Sequence, residues 1–214
     1  MTVSVKSVSD ALSVGDSGRF IEHEAHREIF DVLARYAQFF PQESGRLCQL
    51  QAQLHESVDV LNRSNMTGHV TTSATVLNGA GTKALFIYHN FFQLWLPPGG
   101  HYESPGSLWS SAIREVQEET GVSDVARHPW TFKNMLPVDI DTHAIAANPA
   151  KNEGAHLHYD FRFLAVASEH TPLVPQLNEV HEARWISLAD FRNSPDFRVR
   201  ALHQKLLGMG LLSE

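Results

Sequence analysis

The stretch 98-PGGHYESPGSLWSSAIREVQEETGV-122 decides how the chain is read. A glycine-rich entry leads into an acidic run and closes on Thr120-Gly121-Val122. Glu115, Glu118 and Glu119 stand at i, i+3 and i+4, one turn apart on one helical face. Ordinary carboxylates at neutral pH are charged and repel one another. A solvated surface tolerates that at modest cost, and charge runs are commonly such surfaces. A site that gathers the three needs a divalent cation. Oxygen-only ligands suit a hard ion, Mg²⁺ first and Mn²⁺ second.

Outward from this stretch, apolar spacing predicts a helix over Phe20–Phe40, with Ile21, Ile29, Val32, Leu33 and Tyr36 on its stripe. A second helix is expected from Gln42 to about Leu61, carrying Leu47, Leu50, Leu54, Val58 and Leu61. This pair must bury its stripe on the main domain or on a second subunit. The β-branched run 69–78, the turn 78-NGAG-81 and the run 84–89 predict a hairpin. A short strand at Leu94–Leu96 enters the glycine-rich loop, and a helix over Ser107–Thr120 ends at Gly121. Further strands are expected at Trp130–Asp139, His156–Ala167 and Ala183–Ile186, with a long loop over 141–155. Two helices are expected at the end, around Ser194-Pro195. The fold class is α/β, with a mixed sheet between helices and a helical N-terminal extension. The expected division is a flexible tail at 1–18, the extension at 19–67 and the main domain at 68–214.

The 214 residues are 43% hydrophobic and 19% charged, enough for a core. A net charge of −7 without a basic run disfavours nucleic acid and anionic membranes as partners. Cys48 is the only cysteine, which precludes an intrachain disulfide. No signal-peptide pattern or bilayer-length apolar run is present, and the expected compartment is the cytoplasm.

Eight of nine specified positions fit the Nudix box G-x5-E-x7-R-E-U-x-E-E-x-G-U, U being a bulky aliphatic residue: Gly100, Arg114, Glu115, Val116, Glu118, Glu119, Gly121 and Val122. The chain resembles a Nudix hydrolase over roughly Gly68–Leu207, in a bacterial branch with a helical N-terminal extension. The resemblance implies an α/β/α sandwich and a Mg²⁺-dependent pyrophosphohydrolase (Mn²⁺ as the other candidate) acting on a nucleoside diphosphate derivative, such as a nucleotide sugar or nucleoside triphosphate. It implies that Glu115, Glu118 and Glu119 hold metal, that Glu115 helps deprotonate the attacking water, and that Arg114 orients the acids. The diphosphate oxygens would be neutralised by metal while water attacks phosphorus in line.

Gly106 stands where the box has Glu. Glu103 in the same loop, or Glu179 or Glu182 in 177-LNEVHEARWISLADF-191, are the candidates to supply the carboxylate. The alternative reading is a weak or inactive Nudix-like module that senses a ligand or binds a partner. In 156-HLHYDFRF-163, His156, His158, Asp160 and Arg162 share one strand face, with His143 and His101 close in sequence. That face is a solvated surface, a lining for substrate or, least expected, a Zn²⁺ site. Gly99, Gly100, His101, Tyr102, His143, His158 and Asp160 are the candidate substrate contacts. Phe91, Phe92, Trp95, Tyr102 and Trp109 could stack on a base or belong to the core, with Trp109 expected in the core and Tyr102 open. A homodimer is compatible with the helical pair.

Overall fold

The computed structural model describes residues 14–213 except 57, 104, 150 and 151, with backbone alone at 14–23. Most of the expected tail lies outside the described residues. Helix α1 spans Val14–Phe39, beginning ahead of the expected Phe20. A 3₁₀ segment, Pro41–Leu47, follows, and α2 covers only Cys48–His55. The expected helix to Leu61 is thus corrected. Asp59, Asn62 and Asn65 side chains each accept the backbone N–H two residues on, which bends the chain into successive turns.

Among the described residues the sheet has eight strands. They are β1 (Gly68–Asn78), β2 (Lys83–His89), β3 (Leu94–Leu96), β4 (Gly99–His101), β5 (Ala126–Arg127), β6 (Asp139–Ile145), β7 (His156–Ala167) and β8 (Val180–Ser187). β1 runs parallel to β7 along its whole length. Its other edge pairs antiparallel with β2 at Val76 and Leu77, and with β4 at Thr71, Thr72 and Ser73. β6 pairs antiparallel with β7, setting His143 opposite His158 and Asp139 opposite Arg162. The glycine-rich loop is therefore partly a strand of the sheet.

Two expectations change between 129 and 155. The strand foreseen at Trp130–Asp139 is a short helix, α4 (Pro129–Asn134). Pro129 fits a first helical position, and the His128 ring accepts the Trp130 N–H. The loop expected from 141 begins only after Ile145, because β6 continues the pairing with β7.

Helix α3 (Leu108–Thr120) lies on the face of β1 that carries Val70, Thr72 and Ala74. Leu108, Ala112 and Val116 are buried there, and the Thr72 hydroxyl donates to Ser111 Oγ at 3.0 Å. Gly121 ends the helix in the left-handed conformation (φ 77°), which an L side chain rarely adopts. α5 (Leu188–Arg192) and α6 (Phe197–Gly208) contribute Phe191, Val199, Leu202 and Leu206 to a second core with Leu77, Phe86 and Leu164.

The extension shares the first core. Ile29, Leu33, Tyr36, Leu47 and Leu50 are buried in one cluster with Val70, Val116 and Phe161. Each fully buried side chain of this kind contributes about 1.5–3 kcal/mol. Its stripe thus meets the chain's own domain. Polar contacts add to this. The Leu108 N–H donates to Glu28 Oε2 at 3.0 Å, so an α1 carboxylate caps α3. Lys205 Nζ reaches Tyr36 Oη at 2.7 Å, Glu43 Oε2 at 2.7 Å and Asp139 Oδ1 at 2.9 Å. Arg46 meets Asp139 at 2.9 Å, and the Ile140 N–H donates to Tyr36 Oη. No described helix is long and apolar enough to cross a membrane.

Candidate active site

The packing of α3 on the sheet beside β4 places Glu115 and Glu119 inward and Glu118 outward. Glu115 is 7% exposed and Glu119 4%, whereas Glu118 lies at the surface. Both inward carboxylates sit against β4. The Gly99 N–H donates to Glu119 Oε2 at 2.9 Å. A Cβ on Gly100 would fall 2.5 Å from Glu115 Oε1, so only glycine lets that carboxylate approach the strand. A Cβ on Gly99 would fall 2.4 Å from Ser73 Cβ, which fixes the close β4–β1 pairing.

Arg114 gathers the cluster. Its guanidinium donates to Glu115 Oε1 at 2.6 Å, to Glu118 Oε2 at 2.6 Å and to the His101 carbonyl at 3.0 Å. Glu103 Oε2 stands 3.9 Å from the same guanidinium. Even so, the cation does not neutralise the interior. Burial pushes the Glu115 carboxyl up to about 7, against the pull of Arg114. Burial pushes Glu119 up to about 8, the Gly99 N–H opposing and Glu115, Glu179 and Glu118 adding to the rise. Two buried acids short of positive charge form the kind of oxygen-rich pocket that a divalent cation completes.

Of the three candidates for the carboxylate that Gly106 lacks, Glu103 pushes on Glu115 and Glu179 on Glu119. Glu182 is engaged by Arg184 on the outer part of β8. At Gly106 itself the carbonyl accepts the Tyr102 hydroxyl, and an added Cβ would meet Ser110 Oγ at 2.7 Å. Tyr102 is buried in the core, and Trp109 packs edge-on against Phe163 at 5.6 Å. Phe91 and Phe92 are exposed.

The polar strand face carries more than the sequence reading named. Asp160 accepts from Ser73 Oγ at 3.0 Å and from Arg162 Nε at 2.9 Å. Arg162 also reaches Asp141 at 2.8 Å and Asp139 at 3.3 Å. Burial alone would raise Asp139, but Arg162, Lys205 and Arg46 outweigh it and hold its carboxyl below the usual range. Asp141 is likewise held at about 2: burial opposes, and His143 and Arg162 prevail. His143 Nδ1 lies 2.9 Å from Asp141 Oδ2. Beyond it five imidazoles gather, those of His69, His101, His143, His156 and His158. Burial, with the surrounding imidazoles, holds His158 neutral down to about 2. His69 was absent from the sequence reading. Its signal was the polar alternation His69, Thr71, Ser73 and Thr75 along β1.

The model of the NUDIX domain matches residues 67–207, and the chain belongs to the Nudix hydrolase family. It is 35% identical over 117 residues to a protein of Lactococcus lactis subsp. cremoris named probable DHNTP pyrophosphohydrolase, the match spanning 55% of this chain and 66% of that relative. Among solved structures, a C. elegans Ap4A hydrolase binary complex is 18% identical, with a TM-score of 0.49, over 65% of this chain and 96% of that one. A NUDIX-family hydrolase of Clostridium perfringens is 23% identical, with a TM-score of 0.47, over 68% and 98%.

Proposed function

We propose that the chain is a Mg²⁺-dependent pyrophosphohydrolase that cleaves the diphosphate of a nucleoside diphosphate derivative. The observation that carries this reading is the pair of buried, undercompensated carboxylates, Glu115 and Glu119, packed on Gly100 and Gly99. Glu115, Glu118 and Glu119 would hold the ion, with Glu103 and Glu179 flanking; Mn²⁺ suits the same oxygen donors. Bound there, the ion would offset charge on the diphosphate oxygens and make water more acidic. Arg114 holds Glu115 and Glu118 in register, a positioning role. The β4 backbone at Gly99, Gly100 and His101, with His143, borders the space for the diphosphate, while Tyr102, His158 and Asp160 stand behind as support. As water attacks phosphorus and the bridging P–O bond breaks, the water proton passes to the Glu115 carboxylate. Residues 68–214 form the hydrolase domain in this reading, and 19–67 the extension that braces it.

A second reading, a ligand-sensing module with little turnover, rests on Gly106. A panel of nucleotide sugars, dinucleoside polyphosphates, nucleoside triphosphates and DHNTP separates the two. Mg²⁺-dependent release of phosphorylated product by wild type, lost in Glu118→Gln, supports the enzyme. Equal inertness of both proteins on every compound overturns it, and tight nucleotide binding without turnover favours the sensor.

A further inference from the structure

We propose that His69, His156 and His158 form a Zn²⁺ site on the sheet face beside the glycine strand. One ring nitrogen from each lies within 4.8 Å of the others. Two neighbouring strands bring them together: β1 pairs His69 with His158 of β7, and β7 also carries His156, while β6 sets His143 opposite His158. His101, on β4, lies with its ring 5.1 Å from that of His69 and 5.3 Å from that of His158.

The hydrogen bonds around the rings point inward. His69 Nδ1 sits 3.1 Å from the Asn65 carbonyl, and His156 Nδ1 sits 2.7 Å from the Gly154 carbonyl. A carbonyl oxygen only accepts, so each Nδ1 carries the hydrogen. Each Nε2 is then left with a lone pair. His143 Nδ1 faces the Asp141 carboxylate in the same way. Such backing by carbonyl or carboxylate is how metal-ligating histidines are oriented. His69 Nε2 is buried and has no hydrogen-bond partner among the described residues. His156 Nε2 and His158 Nε2 are hydrogen-bonded at 3.2 Å, a contact that a shared ion would replace and that is close to the roughly 3.3 Å edge of a tetrahedron of imidazoles around zinc. Neutral imidazoles select a borderline ion such as Zn²⁺, whereas the carboxylates of α3 select a hard one. The two sites therefore differ in chemistry as well as in place.

A zinc ion here would tie the segment leaving the extension, through Asn65 and His69, to the end of the 146–155 loop, through Gly154 and His156. The site is independent of the hydrolase reading and is tested without turnover. Untagged, chelator-stripped full-length protein is titrated with Zn²⁺ by calorimetry under saturating Mg²⁺, which occupies the carboxylates. The expected result is one Zn²⁺ per chain, with His69→Ala and His156→Ala each at least ~10-fold weaker. X-ray absorption on the zinc-loaded wild type guards against variants that misfold; it is expected to show imidazole nitrogens at about 2.0 Å. No uptake by wild type, unchanged affinity in both variants, or an oxygen-only shell around the zinc overturns the proposal.

Discussion

Two groups of buried carboxylates lie in this molecule, and their environments are opposite. Asp139 and Asp141 are surrounded by Arg162, Lys205, Arg46 and His143, and their carboxyls are held below the ordinary range. Glu115 and Glu119 share only Arg114 and a backbone N–H, and burial raises them to about 7 and about 8. A buried charge that carries its own counter-charges is part of the architecture. A buried charge without them is held in place by the fold at a cost in stability, which a bound cation relieves. The difference separates what fastens the extension to the domain from what the domain offers to a ligand.

The sharpest way to break this contrast is to neutralise one acid. Glu115→Gln should lower Mg²⁺-dependent turnover on the order of 10³-fold. It should leave the melting temperature of the metal-free protein unchanged or higher, since an undercompensated charge is removed. A clear fall in that temperature would place Glu115 with the structural group. Lys205→Met tests the other side. It strips a counter-charge from Asp139 and Glu43, and urea unfolding should show a loss of about 3–5 kcal/mol. The folded fraction should keep near-native turnover. Gly100→Ala places a methyl group 2.5 Å from Glu115 Oε1 and should cost roughly 10²-fold in kcat/KM by displacing that carboxylate.

Acidity sharpens the contrast further. An ordinary glutamate has a pKa of 4.5, whereas in the fold Glu115 is raised to about 7 and Glu119 to about 8. Between these limits the folded chain binds more protons than the unfolded one, so the contribution of these acids to stability falls as pH rises. Thermal scans of metal-free protein should therefore show a declining melting temperature from pH 5 to pH 8, and Mg²⁺ should flatten the decline. Asp141, held at about 2, works the other way: its contribution is present above the ordinary aspartate value of 3.8 and is lost as pH falls toward 2. The smallest expected effect is at the box's missing carboxylate. Gly106→Glu needs only Ser110 Oγ to turn aside, and it should raise turnover several-fold.

The acid helix and its glycine entry were legible because their information is local. Spacing fixes which residues share a helix turn, and Gly121 marks the end. The split between inward Glu119 and outward Glu118 was not, since it depends on where β4 lies, and a glycine pair reads as loop in sequence although it forms that strand. The Asp139–Lys205–Arg46 network joins β6, α6 and the extension, so no sequence window contains it. α4 was missed although Pro129 is a good first residue for a helix, because the aromatic and apolar residues around it also suit a strand. The end of α2 was set by Asp59, Asn62 and Asn65, whose turn-forming side chains prevailed over the apolar stripe at Val58 and Leu61. His69 escaped notice because its partners come from β4 and β7.

The most direct test of the undercompensated pair is proton release on binding Mg²⁺. Calorimetric titration of the full chain at pH 7, in two buffers of different ionisation enthalpy, counts the protons. Glu115 and Glu119 must lose theirs to become ligands, so about one proton per Mg²⁺ should be released, with weaker binding at pH 6. Mg²⁺ binding with no proton release, at an affinity equal at pH 6 and pH 8, would contradict the account.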